Sequence, residues 1–449
     1  MHAGGSTLPD LMISLWRASI KCDSSDDKST WEWAVLRETN AWKAHGALVA
    51  AVTPYLPGSF DRPPRNPAEK INSGYKAVEF IHYVFGVGPA LLYGVLPFRY
   101  WQNYCRLVRG WRLMNPPNRK LTPEHLREAH KQFILFLEEF EELYYQRNPS
   151  RIHFIRQSIH GLAHLAPEVV RVGPPTIYSQ WTMERVIGDL GSEIRQPSNP
   201  FSNLSQRALR RCQLNAIKHM VPTLGDDTAT TQLPRGACNL GHGYALLRAV
   251  DDKEREVRPC EAVALQLFFR NRDSVSADWL VNPRVKKWAR VLLPNGTKAR
   301  SRWKEALKPL TKVRMARMIK VRFFPSLIEY AEVLYYFKLD FSEGPVGFAM
   351  VSVCSKPDTD LLSCSVGVVS SLQHRGDDGL AVIDISSILS TLALPPQPVV
   401  TAERLAQLGY PASAPPIEDN RFYTYEKGDD EIDSFRDVSQ VSGQDNDNE

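Results

Sequence analysis

The amino-acid sequence has few cysteines, and no two of them stand in a CxxC spacing. Its 449 residues contain seven cysteines, an odd number scattered along the chain. Disulfide frameworks use even numbers of cysteines and occur in oxidising compartments. The cysteine usage therefore argues against such a framework and predicts a protein of a reducing compartment.

Long hydrophobic runs are also missing. The most apolar window, residues 77–98, is interrupted by Glu79, His82 and several Gly and Pro residues. A membrane-spanning helix needs about 20 predominantly apolar residues in a row. The start of the chain lacks the basic residues and the apolar stretch of a secretory signal. These absences predict an intracellular protein without a membrane partner.

Motifs for cofactors, nucleophiles and metals are scarce as well. The sequence contains no phosphate-binding loop, no dinucleotide-binding glycine pattern and no GxSxG turn. His160 and His164 share a helix face, but the internal Glu of a zinc-binding HExxH motif is absent, so we expect two hydrogen-bonded core histidines. Cys238 and His242 have no second ligand pair nearby. The sequence thus predicts neither a cofactor nor a metal site.

Charge is distributed unevenly along the chain. Apolar residues make up 43% and charged residues 23%, which is enough to build a core, and the formal net charge is +5. From Ala412 to Glu449 there are eleven acids and three bases, a local charge of −8 that leaves +13 on the preceding residues. A basic body with an acidic tail favours a polyanionic partner such as nucleic acid.

Hydrophobic periodicity predicts an α+β fold in five segments. Residues 1–222 read as helices, and one of these is expected to start at Thr122-Pro123 because Thr caps free amides and Pro suits the first turn. Residues 223–258 read as a linker, 259–328 as a basic helical connector whose first helix begins no earlier than Pro259, and 329–396 as a small antiparallel β domain. Residues 397–449 read as an acidic, disordered tail.

The basic block from Arg284 to Arg322 is the strongest functional signal. It contains fourteen Lys or Arg residues and one acid, Glu305, with Trp288 and Trp303 interleaved. Because few Asn or Gln accompany them, these cations are expected to neutralise phosphates without reading sequence. The alternatives are a solvated basic face and a docking site for the acidic tail. The candidate DNA contacts are Arg195, Arg284, Lys286, Lys287, Arg290, Lys298, Arg300, Arg302, Lys304, Lys312, Arg314, Arg317, Lys320 and Arg322.

A predicted helix within residues 181–195 presents two faces. Met183, Ile187, Leu190 and Ile194 recur at helical spacing and are expected to face the core. Glu184, Gly188, Gly191 and Arg195 share the neighbouring face. Glycine inside a helix costs about 1 kcal/mol relative to alanine, so the two glycines indicate either tight helix packing or close approach of a metal or nucleic acid to Glu184.

Around this helix the sequence resembles the C-terminal half of CACTA (En/Spm-type) DNA transposases, particularly their fungal relatives. The resemblance covers most of residues 1–396, and residues 330–396 look like the small β domain of the fungal members. It is carried by the ordered set His160, Leu162, His164-Leu165, Gly173-Pro174, Met183-Glu184-Arg185, Gly188, Leu190, Ile194-Arg195 and Pro200.

The resemblance implies the helical part and final helix of a ribonuclease-H-like transposase, in which three carboxylates hold two divalent metals. Glu184 matches the third carboxylate. The first two are aspartates on upstream strands that this chain does not contain, and Met1-His2 matches only the second half of the family's Asp-x-Met-His motif. Mg²⁺ or Mn²⁺ is therefore expected only in an intact relative.

These observations predict a transposase-derived, nuclear DNA-binding protein that is catalytically incomplete. Its expected partners are DNA and either a full-length transposase or a second copy of itself. One alternative is a host-adopted, non-catalytic chromatin or adaptor protein. The other is a metal-dependent nuclease that combines Glu184 with Asp189, Glu193 or the histidines. Carboxylates within coordination reach of Glu184 would favour the nuclease.

Overall fold

The computed structural model describes residues 3–116, 121–175, 180–194, 198–221, 233–270, 275–323 and 327–427. The fold is mixed α+β, as the sequence predicts, with helices up to residue 221 and an antiparallel sheet in the second half. Within these ranges, no helix is long and apolar enough to span a bilayer. The α-helices are α1 Leu8–Trp16, α2 Thr39–Ala51, α3 Pro67–Lys70, α4 Ala77–Phe80, α5 Gly88–Leu91, α6 Phe98–Met114, α7 Pro123–Phe140, α8 Gln157–His160, α9 Leu162–Val172, α10 Trp181–Ser192, α11 Pro200–Met220, α12 Pro259–Phe269, α13 Ala277–Val281, α14 Arg302–Glu305, α15 Thr359–Cys364 and α16 Ala402–Gln407.

Most of the strands belong to one antiparallel sheet. The strands are β1 Cys238–Gly241, β2 Tyr244–Val250, β3 Arg255–Glu256, β4 Arg284–Val285, β5 Trp288–Leu292, β6 Lys298–Arg300, β7 Met318–Phe323, β8 Leu327–Phe341, β9 Gly344–Val353, β10 Ser371–Gln373, β11 Leu380–Asp384, β12 Ile388–Thr391 and β13 Arg421–Tyr423. The long strand β8 pairs with β5, β7 and β9, and β5 pairs in turn with β2 and β6. The antiparallel pairing predicted for residues 329–396 is confirmed for β8, β9 and β11, which pair antiparallel in that order.

Helices α1–α9 share one aromatic-rich core. Helix α7 begins at Pro123, as predicted, because the Thr122 hydroxyl accepts a hydrogen bond from the His125 amide at 3.2 Å. Helices α6 and α7 approach closely at Gly110, where a Cβ would lie 2.5 Å from the Phe133 ring. A large side chain at Gly110 would therefore push the two helices apart.

A buried ion pair joins the segment after α1 to the segment after α7. Arg151 donates through Nε and Nη2 to the two carboxylate oxygens of Asp26, each at 2.6 Å. Trp31 Nε1 donates to the same carboxylate at 3.1 Å, and the guanidinium lies over the rings of Trp31 and Trp33. The side chains of Arg151 and Asp26 are only 7% and 3% exposed. Hydrogen bonding to Arg151 holds the pKa of Asp26 below its usual range.

Both faces of the large sheet are covered. Helix α12 begins at Pro259, as predicted, and packs Leu265 and Phe269 against Phe337 and Phe348 on one face. The opposite face forms a second core, which contains Leu246, Val291, Ala299, Ile319 and Val351. The side chains available for a partner therefore lie at the edges and on the hairpins of the sheet.

The predicted elements of residues 223–328 are wrong in two places. Residues 238–250 form the hairpin of β1 and β2 rather than a linker, while residues 222–232 lie outside the described ranges. The basic segment 259–328 contains helices α12–α14 but also strands β4–β7. In β5 and β6 the buried Val291 and Ala299 stand next to cations. Because so many residues of this segment are charged, the alternation of buried and exposed positions that is typical of strands is not visible in the sequence.

The disordered tail predicted for residues 397–449 is wrong for residues 397–427. This segment forms α16 and β13, and it buries Val400, Tyr410, Ile417 and Tyr423 in the helical core. The Tyr425 hydroxyl lies 2.8 Å from Nδ1 of the buried His82. The apolar residues of this segment are interrupted by prolines and acids, so they form no periodic run from which burial could be predicted. Residues 428–449 lie outside the described part of the chain.

Deletion of residues 412–449 is therefore expected to destabilise the protein, since it removes Ile417, Tyr423 and Tyr425 from the core. Full burial of one large apolar side chain contributes about 1.5–3 kcal/mol to stability. The thermal midpoint measured by circular dichroism should fall sharply. Deletion of residues 428–449 is the matched control, because it leaves Ile417, Tyr423 and Tyr425 in place. A wild-type midpoint in the longer deletion would contradict this packing.

Candidate nucleic-acid interface

Glu184 lies in the first turn of α10 with an exposed side chain. Asp189 follows five residues later and points about 140° away around the helix, so the two carboxylates do not face one ligand. Glu193 is occupied by ion pairs with Arg207 and Arg211, each at 3.2 Å. Among the residues that the structure describes, no group of three or more His, Cys, Asp or Glu side chains could hold a metal.

The face that carries Glu184 is open to solvent. A Cβ added at Gly188 or Gly191 would meet nothing within 4 Å, so these two glycines do not serve tight helix packing. Arg195, which the sequence places on the same face, lies outside the described residues. The glycines leave Glu184 accessible without surrounding it with further ligands.

The predicted burial of Met183 and Ile187 is wrong. Their side chains are 55% and 60% exposed. Leu190, which belongs to the same predicted apolar face, is buried. The main packing partner of α10 among the described elements is α11, which itself buries none of its residues. Phe201 and Met220 near the two ends of α11 are 85% and 79% exposed. Helices α10 and α11 therefore present apolar side chains without a covering element in the described structure.

His160 and His164 are hydrogen-bonded to one another, but they are exposed rather than part of the core. Their Nε2 atoms lie 3.0 Å apart, so one ring donates and the other accepts. Glu168, one turn further on, is paired with Arg171 at 2.8 Å. The buried face of α9 is formed instead by Leu162, Ala166 and Val169.

Many cations of the basic block are engaged within the protein. Arg317 binds Glu332 at 2.7 Å, and Arg302 lies 3.5 Å from the same carboxylate. Lys320 binds Glu426 at 2.9 Å, Arg284 lies 3.6 Å from Glu256, and Lys287 lies over the Tyr335 ring at 4.1 Å. These contacts stabilise the fold and leave fewer donors for a phosphate.

Arg314 attaches the basic block to the helical part. Its guanidinium donates to the backbone carbonyls of Leu56, Pro57 and Asp61 at 2.6–3.1 Å. Burial lowers the pKa of Arg314 from its ordinary value. The role of Arg314 is therefore structural, and its replacement is expected to weaken folding rather than report on DNA.

The hairpin of β5 and β6 carries three cations on one face. Arg290 stands directly opposite Arg300, and Lys298 stands opposite Leu292. The intervening pair, Val291 and Ala299, points the other way into the core. Because side chains alternate along a strand, Arg290, Lys298 and Arg300 share the outer face. None of the three forms an ion pair within 4 Å among the described residues.

Four further cations of the block have no ion pair with any described residue, and all four are exposed. They are Lys286, Lys304, Lys312 and Arg322. Lys304 lies 4.5 Å from the centre of the Trp303 ring, which orients it without neutralising it. Together with the hairpin cations they make seven positions at which a polyanion could supply the counter-charge.

Comparison of the chain with protein-family models, curated proteins and solved structures finds no match. The geometry defines a mixed α+β protein whose antiparallel sheet carries a basic hairpin. The sequence identified the cations of this surface. It did not predict that Glu305, the one acid of the basic block, is buried and accepts a hydrogen bond from the Ala316 amide.

Proposed function

We propose that this protein binds the DNA backbone without cleaving it, and that it derives from a CACTA-type DNA transposase and acts in the nucleus. The observation that carries the DNA-binding proposal is the outward-facing trio Arg290, Lys298 and Arg300 on the β5–β6 hairpin. The derivation from a transposase rests on the ordered residues from His160 to Pro200 quoted above. A full-length transposase or a second copy of the chain is the proposed protein partner.

Unneutralised charge on the hairpin favours a phosphate partner over a merely solvated face. Like charges directly opposite one another on neighbouring strands destabilise a sheet, and Arg290 faces Arg300 in this way. A phosphate between the two guanidinium groups would turn that repulsion into attraction. Arginine suits this role, because its fork of N–H donors matches phosphate oxygens.

No metal-dependent cleavage or strand transfer is expected from this chain alone. Two-metal chemistry needs several acidic ligands that hold ions about 3.5–4 Å apart, and Glu184 has no such neighbours among the described residues. Incubation with Mg²⁺ or Mn²⁺ and transposon-end DNA should give no product on a denaturing gel. Cleavage by the wild type that disappears in Glu184→Gln would contradict the proposal and restore the nuclease alternative.

A host-adopted adaptor is the second candidate, and one observation favours it. Met183, Ile187, Phe201 and Met220 expose large apolar side chains on α10 and α11. Large apolar side chains that no described element covers offer a surface to another protein. DNA binding and an adaptor role are compatible, since these helices and the basic hairpin are different elements.

Fluorescence anisotropy with a labelled duplex tests the DNA-binding proposal directly. The full chain should bind, and a variant that lacks residues 428–449 should bind more tightly. Those residues contain eight acids and one base, so their removal raises the net charge by seven and strengthens the attraction to phosphate. Weaker binding by the shortened chain would contradict the role assigned to the acidic segment.

A further inference from the structure

Two exposed histidines at the junction of α8 and α9 bring their Nε2 atoms together. His160 ends α8, and His164 lies in the first turn of α9, four residues later. Side chains four residues apart lie one above the other on a helix face. The two Nε2 atoms are 3.0 Å apart, and the rings meet at an interplanar angle of 68°. The pair therefore presents two neighbouring nitrogen atoms to solvent.

The distance between these two nitrogen atoms fits a transition-metal ion. With metal–nitrogen bonds of about 2.0–2.1 Å, as for zinc, two nitrogen atoms at 90° around one ion lie about 2.8–3.0 Å apart. Neighbouring positions of a square-planar or octahedral ion have this angle, and Cu²⁺ and Ni²⁺ take square-planar nitrogen ligands. An ion that replaced the proton of the hydrogen bond would therefore require little movement of either ring.

The charged side chains beside the pair do not oppose a bound cation. Arg156, one turn before His160, pairs with Asp10 at 2.7 Å, and Arg171 pairs with Glu168 at 2.8 Å. A carboxylate thus compensates each of these two guanidinium charges. Glu168 also shares the helix face of the histidine pair, one turn further on, so that its negative charge lies on the side where the ion would bind.

We propose that His160 and His164 chelate a divalent transition-metal ion such as Ni²⁺ or Cu²⁺, with water in the remaining coordination positions. The site has two protein ligands, fewer than the groups of three or more that are absent from the described residues. Imidazole nitrogen suits these ions, whereas Mg²⁺ prefers oxygen ligands, so the site differs in chemistry from a carboxylate site at Glu184. The proposal does not depend on DNA binding, since neither histidine belongs to the β5–β6 hairpin.

Isothermal titration calorimetry of the full chain with nickel chloride tests the proposal. Joining two binding groups strengthens binding by about 100-fold or more over one group alone. His160→Gln and His164→Gln should therefore each weaken one Ni²⁺ binding event by about 100-fold or more, and excess Mg²⁺ should not compete with it. The thermal midpoint should rise more with Ni²⁺ in the wild type than in either variant, because an ion that binds the folded chain stabilises it.

Two further variants separate chelation from the mere number of histidines. His219→Gln removes an exposed histidine of α11 that has Asn215, not a second histidine, one turn before it, and it should leave this binding unchanged. Gln157→His combined with His160→Gln keeps the number of histidines but separates them by seven residues, about 10 Å along a helix, so binding should not return. The proposal is overturned by absence of Ni²⁺ binding to the wild type, by wild-type binding in either single histidine-pair variant, or by recovery in the double variant.

Discussion

Replacing Arg290, Lys298 and Arg300 together by Gln should weaken DNA binding about 500-fold at 0.1 M salt. Each phosphate contact contributes a slope of about −0.9 in log K against log salt. Loss of three contacts therefore makes the slope shallower by about 2.7. If the affinity at 1 M salt is unchanged, log K at 0.1 M falls by the same 2.7 units. The loss should be equal on unrelated duplexes, because phosphates carry no sequence information.

A matched control separates this surface from the overall charge. Lys43→Gln, Arg127→Gln and Lys131→Gln together remove the same three charges from exposed positions on the helical part. This variant should retain affinity within a few-fold of wild type and keep its salt slope. If the control and the hairpin variant lose affinity equally, net charge rather than the hairpin drives binding. Circular dichroism should show that both variants are folded.

Asp26→Asn or Arg151→Ala is expected to lower the free energy of unfolding by about 3–5 kcal/mol, the usual effect of removing one partner from a buried ion pair. Either change leaves a polar group buried without its partner, since both side chains are less than 10% exposed. Urea unfolding followed by circular dichroism measures the loss. Arg127→Ala breaks an exposed pair with Glu124 and should cost less than about 1 kcal/mol.

The same pair makes the protein sensitive to acid. The pKa of Asp26 is lowered in the folded state, so its contribution to stability is present above its unfolded pKa of about 3.9 and is lost as the pH falls further. The free energy of unfolding of the wild type should therefore decrease more steeply below pH 4 than that of Asp26→Asn. Parallel pH profiles for the two proteins, or an Arg151→Ala variant as stable as Arg127→Ala, would contradict this account of the pair.

Local signals predicted some elements accurately. Thr122-Pro123 and Pro259 fixed the starts of α7 and α12, because capping and the missing proline amide act within one helical turn. The strands of the basic block were missed for the opposite reason. Their apolar positions are small or isolated, such as Ala299 between two cations, and only pairing with a neighbouring strand shows that they are core positions.

The interface could be predicted only in part. The sequence identifies the cations, but their partners lie far away along the chain: Arg314 binds carbonyls of residues 56–61, and Lys320 binds Glu426. Likewise Ile417 and Tyr423 enter a core built by helices some 300 residues earlier. The tertiary structure determines which cations remain available to DNA. Those without an ion pair among the described residues are Arg290, Lys298 and Arg300 of the hairpin and the exposed Lys286, Lys304, Lys312 and Arg322.

The salt dependence of DNA binding by the wild-type chain is the most direct test of phosphate contacts by the basic block. If the seven unpaired cations of the basic block each meet a phosphate, log K against log salt should have a slope of about −6. Two duplexes of unrelated sequence and equal length should give the same slope and affinities within a few-fold. A slope near zero, or a preference of a hundredfold or more for one duplex, would contradict backbone binding through this surface.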